Sequence, residues 1–289
     1  MVTRLELPTP AKINLFLRIT GRRADGYHEL DSLFLPVSLY DRVALEAQES
    51  DDAAVTLRCN WPHLPVDDRN LAFRAARLFL EARKLRWRVK IELHKQIPDG
   101  AGLGGGSSDA GAVLRMMARL DASAPQSLAP IALQLGADVP FFLDPRPARV
   151  GGIGEQIKYL DGDWGLHMVI GVPAVTVPTG EIYQHLEPGD WSGRGPAISS
   201  TSRDEADLPP GLLVNDLERP ALSLYPQIAA VKRLLREVGA SAVLMSGGGG
   251  AVFGLFGGLD QAAQARDRAA AEMPGASFFA ARVVRETVL

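Results

Sequence analysis

Between Pro98 and Asp109 the chain reads PDGAGLGGGSSD, with five glycines in the seven positions from Gly100 to Gly106. Val89–His94 ahead of it alternates apolar and polar residues and predicts a strand, and Asp109–Leu120 behind it predicts a helix. Glycine permits backbone shapes in which successive N–H groups converge. A helix that follows at once adds its free N–H groups and the positive end of its dipole. A strand, a glycine loop and a helix in that order make an anion cradle suited to phosphates. Either Ser107 or Ser108 is placed to cap the helix, with a hydroxyl in reach of a phosphate or of Mg²⁺.

Two phosphate-binding patterns fail here. A P-loop needs Gly-Lys-Ser/Thr at the helix start, and this helix opens on Gly106-Ser-Ser-Asp109 without a lysine. The spacing of Gly100, Gly102 and Gly105 does match the dinucleotide fingerprint, with Asp121 downstream. That acid should end a second parallel strand, but the Ala-, Ser- and Pro-rich stretch after it offers none.

The balance of charge narrows the partners. Lys and Arg number 31 against 34 Asp and Glu, a net charge of −3, which speaks against nucleic acid or an anionic membrane as the main partner. A small phosphorylated ligand remains open. The lone cysteine, Cys59, cannot form an internal disulfide and reads as a free thiol of a reducing, cytoplasmic setting. Met1–Pro10 has no apolar leader core, and no stretch is long enough to span a membrane. The expectation for assembly is a monomer or weak dimer.

Strands are predicted over Ala11–Ile19, Leu33–Leu39, Arg42–Ala47, Leu166–Val172, Ser241–Leu244, Ala251–Phe256 and Phe278–Val284, with a break at Tyr40-Asp41. Helices are predicted over Asn70–Arg83, Pro130–Leu135, Leu222–Val238 and Gln261–Met273. Trp191–Leu212 reads as an exposed loop. Pro and Gly cluster over Asp144–Gly154, which suggests two α+β domains, 1–150 and 151–289.

Polar residues within apolar strands are candidates for chemistry. Lys12 is the only charged residue between Pro8 and Leu17, and Asn14, two residues on, shares its face. Asp138 sits in Gly136-Ala-Asp-Val-Pro140, between a helix end and an apolar run. Tyr27 and His28 follow a turn; a ring can stack on a nucleobase and an imidazole can bond its edge.

GLGGGSSDA (Gly102–Ala110) resembles the phosphate-binding motif of the GHMP kinases, named for galacto-, homoserine, mevalonate and phosphomevalonate kinases. PAKINLFLRITGRRADGYHEL (Pro10–Leu30), LGADVPFFL (Leu135–Leu143) and Asn70-Leu71 are similar to the branch whose acceptor alcohol is carried on cytidine diphosphate, in isoprenoid precursor synthesis. The resemblance implies a two-domain α+β GHMP kinase fold with ATP and substrate in the cleft between domains. It implies Asp138 as general base and Lys12 as its cationic partner beside the reacting hydroxyl, with Asn14 bonding that alcohol. It places Tyr27, His28 and an opposing ring, Tyr183, on the cytosine, and Thr179 near the substrate diphosphate. Asn70, Leu71, Lys95, Pro98 and Asp109 would line the ATP site with Gly100, Gly102, Leu103, Gly104, Gly105, Gly106, Ser107 and Ser108. A second run, Ser246–Gly250, would wall the substrate phosphates through Gly247 and Gly248, although the family pattern has Ser or Thr where Gly248 stands. Asn215-Asp-Leu-Glu218 also fits the pattern, without an assigned role. Phosphoryl transfer from ATP needs Mg²⁺ to neutralise charge; with no carboxylate cage evident, the metal would ride on the nucleotide and touch Ser108. A nucleotide sensor on the same fold would need neither Lys12 nor Asp138.

Overall fold

The computed structural model describes residues 2–122, 128–198, 204 and 207–285. Its spine is a pair of long antiparallel strands, β1 (Thr3–Arg22) and β2 (His28–Glu49). The turn between them closes through the Gly26 N–H to the Arg23 carbonyl, with Gly26 at φ +91°, a backbone that side chains rarely adopt. The predicted break at Tyr40-Asp41 is absent, and β2 runs through both residues. Asp41 is fully buried, yet its carboxylate takes the N–H groups of Gln96 and Ile97 and the Lys95 ammonium. A satisfied buried acid does not end a strand.

The far edge of β2 is shared by two partners. β4 (Trp87–His94) pairs along Arg42–Glu49 and carries the parallel strand β3 (Ala54–Cys59) outside it. Along Leu30–Phe34 the partner is β5 (Ala148–Gly152), with β6 (Gln156–Tyr159) beyond it. Helix α1 (Leu71–Arg83) is capped by Asn70, and α2 (Gly105–Leu120) and α3 (Ala129–Leu135) follow. They close a core in which Phe79, Val113 and Met117 join Val43, Leu45 and Ile91. Each such apolar side chain contributes about 1.5–3 kcal/mol.

The second sheet has the order β10-β7-β9-β8, from β7 (His167–Val172), β8 (Val243–Met245), β9 (Val252–Phe256) and β10 (Ser277–Arg282). Ile13, Leu15 and Phe16 of β1 share one core with Met168, Ile170 and Phe253 of this sheet. That packing covers both faces of β1, so its middle is buried without alternation. The remaining helices are α4 (Thr179–Gln184), α5 (Glu218–Leu224), α6 (Pro226–Glu237) and α7 (Leu259–Glu272). The single helix predicted over Leu222–Val238 is two, because Pro226 lacks an N–H and starts a new helix instead of continuing the old one.

Residues 199–203 and 205–206 of the predicted Trp191–Leu212 loop lie outside the described residues. Its first part is a tethered strap, not a free loop. Gly193 N–H bonds the Ile19 carbonyl, and Gly195 N–H bonds Asp31. Arg149 is forked onto the Asp31 carboxylate and also reaches the carbonyls of Gly195 and Pro196. No helix among the described residues is long and apolar enough to cross a membrane.

Candidate active site

A cleft of about 470 Å³ lies where the two sheets meet. Its floor is the glycine loop. Helix α2 begins at Gly105, four residues before its predicted start, so the glycine run supplies the first helical turn itself. Contacts explain this against glycine's poor helix propensity. A Cβ on Gly105 would lie 3.0 Å from Ile97, and one on Gly111 would lie 2.7 Å from Phe142. The cap is Gly104 at φ +72°, without a side-chain bond. Neither serine caps the helix. Ser107 lines the cleft, whereas the fully buried Ser108 is turned to the Pro10 carbonyl (2.7 Å) and to Thr9. The first N–H groups of α2 therefore face the cleft without side-chain partners, as an anion cradle requires.

The loop is fixed from β1. Lys12 N–H bonds the Leu103 carbonyl at 2.9 Å. Register shifts between Pro10 and Ala11 and between Asn14 and Phe16 flank the stretch that carries Lys12 and Asn14, and such bulges re-aim side chains. Lys12 is 4% exposed. Its ammonium bonds Asn14 Oδ1 at 2.7 Å, lies 3.5 Å from Asp138 Oδ2 and sits 4.6 Å from the Phe34 ring centroid. Asp138 precedes the short 3₁₀ turn Val139–Leu143 and opens onto the cleft. Two residues 126 positions apart in sequence are thus an ion pair beside the cradle.

Asn14 is itself held. Its amide donates to Ser32 Oγ at 2.9 Å, and its backbone N–H reaches Ser246 Oγ at 3.1 Å. Ser246 opens the second glycine run, which abuts the first: Ala251 N–H bonds the Ala101 carbonyl at 3.0 Å, and a Cβ on Gly102 would lie 2.7 Å from the Ser246 carbonyl. Gly247 and Gly248 line the cleft with Thr179. A Cβ on Gly248 would lie 2.6 Å from Thr179 Cγ2. A side chain at 248 would thus require Thr179 to shift.

Beneath the cradle, Lys95 lies between Asp41 and Asp109, at 2.6 Å from the latter. Burial pushes the Asp109 carboxyl up to about 7; the Lys95 charge opposes that shift and the Asp41 charge adds to it. Lys95 and Asp109 line the cleft with Leu71, Pro98 and Asn70, whose side chain is spent on Ala72 N–H and the Pro65 carbonyl. Gly100, Leu103, Gly104 and Gly106 line it too.

Tyr183 lines the cleft beside Thr179, whereas Tyr27, His28 and Trp191 do not line it. His28 stacks on Tyr183, with centroids 5.4 Å apart and planes at 25°, and meets Trp191 edge-on at 5.9 Å. Burial first, then the charge of Arg22, lowers the His28 pKa, so its neutral ring keeps one donor and one acceptor nitrogen. Burial, then the charge of Asp138, pushes the Tyr183 phenol up to about 12. Tyr27 is 62% exposed and its ring is free to take a partner. Sequence reasoning missed Asp41, Ser32 and Trp191, and it named Ser246 only as the start of the second glycine run. Asp41 carried one signal, an acid within an apolar strand pattern.

Among the described residues no three His, Cys, Asp or Glu side chains group as a metal site would need. The cleft joins a backbone anion cradle to an ion-paired carboxylate, which is equipment for phosphoryl transfer to an acceptor.

Two family descriptions match the chain: GHMP kinases N terminal domain over residues 70–144 and GHMP kinases C terminal over residues 192–275. Fold and cleft thus define a small-molecule kinase of the GHMP class. A crystal structure of 4-(cytidine 5'-diphospho)-2C-methyl-D-erythritol kinase superposes with a TM-score of 0.81 at 38% identity, covering 98% of this chain and all of that one. A 4-diphosphocytidyl-2-C-methyl-D-erythritol kinase of Thermus thermophilus is 42% identical over 91% of this chain and 92% of its own length. That of Deinococcus radiodurans is 38% identical over 95% and 91%. The chain belongs to this family, the 4-diphosphocytidyl-2-C-methyl-D-erythritol kinases. Mevalonate kinase, with a TM-score of 0.66 at 13% identity, shares the fold.

Proposed function

We propose that the chain transfers the γ-phosphoryl group of ATP to the 2-hydroxyl of 4-diphosphocytidyl-2-C-methyl-D-erythritol, in the methylerythritol phosphate route to isoprenoid precursors. The observation that carries this reading is the Lys12–Asp138 pair, 3.5 Å apart beside the glycine cradle. The cradle N–H groups and the start of α2 bind the triphosphate, with Ser107 as the hydroxyl on the cleft side. Mg²⁺ carried by the nucleotide would supply charge neutralisation at the phosphates, and Ser107, not the buried Ser108 that is turned to Pro10, is the hydroxyl on the side where it would sit. Asp138 takes the proton of the acceptor hydroxyl. The oxygen forms its bond to the γ-phosphorus as the bond from that phosphorus to the β–γ bridging oxygen breaks, and ADP leaves. Lys12 stabilises the developing alkoxide, and Asn14 fixes the ammonium.

Residues 1–150 supply the cradle, Lys12 and Asp138; residues 151–289 supply Thr179, Tyr183, Gly247 and Gly248. Tyr27 offers a stacking face to the cytosine, and neutral His28 reads its edge. The rings of His28 and Tyr183 are already stacked and leave no slot between them, so Tyr183, the ring on the cleft side, supports His28 instead of facing it across the base. Thr179 faces the substrate diphosphate. The setting in this reading is the cytoplasm.

The test is ADP release from ATP and Mg²⁺ with four separate acceptors: the diphosphocytidyl compound, mevalonate, homoserine and galactose. Turnover with the first alone is expected. Turnover with another acceptor refutes the cytosine pocket, and ATP binding without any turnover refutes the kinase reading in favour of a sensor.

A further inference from the structure

Asn215-Asp216-Leu217-Glu218 has no task in the reaction above, yet its first two side chains are polar and buried, Asn215 at 7% and Asp216 at 6% exposure. A buried carboxylate is tolerated where donors surround it. Asp216 takes Ile19 N–H at 2.7 Å, Ser192 N–H at 2.9 Å and the Ser192 hydroxyl at 2.6 Å. Asn215 spends its amide differently, on the carbonyls of Met245 and Gly247, both at 2.8 Å. The backbone between them is zipped to β1: Leu17 N–H bonds the Val214 carbonyl, and Asp216 N–H bonds the Leu17 carbonyl.

Neighbouring residues thus reach in different directions, Asn215 to the glycine wall of the cleft and Asp216 to the strap beside the His28 ring. Asn215 grips the second glycine run, where a Cβ on Gly247 would lie 3.0 Å from Asn14 Oδ1. Asp216 grips the start of the strap, one residue past the Trp191 indole that meets His28. Both targets are irregular backbone. Apolar packing is non-directional and would leave their amides free to turn, whereas hydrogen bonds fix them.

We infer that Asn215 and Asp216 are positioning residues with separate tasks. Asn215 sets the glycine wall at the reacting end, and Asp216 sets Trp191 and through it His28 at the base-recognition end. The inference rests on the proposed cytidine-linked substrate. Trp191 is then a specificity-determining residue without being a ring that stacks on the base.

Two isosteric changes separate the tasks. Asp216→Asn presents an amide to three donors and raises the KM for the diphosphocytidyl substrate about tenfold, with kcat and the ATP KM within about twofold of the parent. Asn215→Asp presents an oxygen to two carbonyls and lowers kcat about tenfold while the substrate KM changes little. Trp191→Ala leaves the Asp216 clasp intact and reproduces the KM effect, which keeps the test open if Asp216→Asn fails to fold. Combined with Asp216→Asn, it raises KM no further than the larger single change, because both act through one chain of contacts. A parent enzyme inactive on the cytidine compound overturns the functional reading itself. With an active parent, the inference is overturned if both isosteric variants lose kcat and KM alike, or if Trp191→Ala keeps the parent KM.

Discussion

Replacing Gly102 by alanine tests whether the abutment of the two glycine runs sets the reacting geometry. Gly102 has φ +81°, and its Cβ would lie 2.7 Å from the Ser246 carbonyl oxygen and 2.9 Å from Gly249 N. Two costs follow. The left-handed backbone costs about 1–2 kcal/mol for an alanine. The overlap demands that the runs part by about 0.7 Å to reach ordinary contact, at a further ~1–3 kcal/mol. Gly100→Ala isolates the first cost, because Gly100 has φ +65° and its Cβ would meet only Thr176, at 3.9 Å. Moving the cradle against the wall that holds Asn14 shifts the phosphate donors relative to Lys12 and Asp138. A misplacement near 1 Å costs about 10²-fold in rate, so the expected loss in kcat is roughly 10- to 100-fold for Gly102→Ala. Gly100→Ala should stay within a few-fold of the parent. The assay is steady-state ADP release with Mg-ATP and the diphosphocytidyl acceptor, with urea denaturation alongside. Equal kcat losses for the two variants would refute the reasoning, since backbone strain alone would then account for both.

Two further outcomes are expected. Asp138→Asn lowers kcat by roughly 10²–10⁴ with ATP affinity little changed; a variant turning over near the parent rate, measured by ADP release, removes Asp138 as the base. Asp109 binds its proton more tightly folded than unfolded, so its contribution to stability is present in acid and is lost as pH rises from the ordinary carboxylate range through about 7. Urea midpoints should therefore decline less over that window in Asp109→Asn than in the parent, and parallel declines would exclude Asp109 as their source.

The glycine loop was legible because five glycines between an alternating segment and an apolar helical pattern leave few other uses. Where α2 begins was not. Helix propensity set the start at Asp109, while the close approach of Ile97 to Gly105 and of Phe142 to Gly111, which favours glycine at both, is a tertiary fact. The break at Tyr40-Asp41 failed for the same reason, since nothing in the local sequence announces that Lys95, 54 residues on, satisfies Asp41. Lys12 and Asn14 were legible as a shared strand face, and the bond between them follows from the two-residue period. Their meeting with Asp138 rested on resemblance, because no spacing encodes a contact across 126 residues. Trp191 was invisible: a single aromatic in a polar stretch has no periodicity, and its neighbour His28 belongs to β2, far away in sequence. The split of α5 from α6 could have been read from Pro226 itself.

β1 has a bearing on how the molecule comes apart. Its first residues are paired with Glu46 and Ala47 beside the helical core of α1 and α2, and its last turns of extended chain are bonded to Val214 and Asp216. Lys12 lies between these attachments, in a strand with both faces covered. Neither half can melt without stripping β1 from the other, so heat should reveal one cooperative transition for the whole chain, with no folded remnant. The same continuity denies the cleft a joint at Lys12: the lysine is carried on a beam that both halves grip.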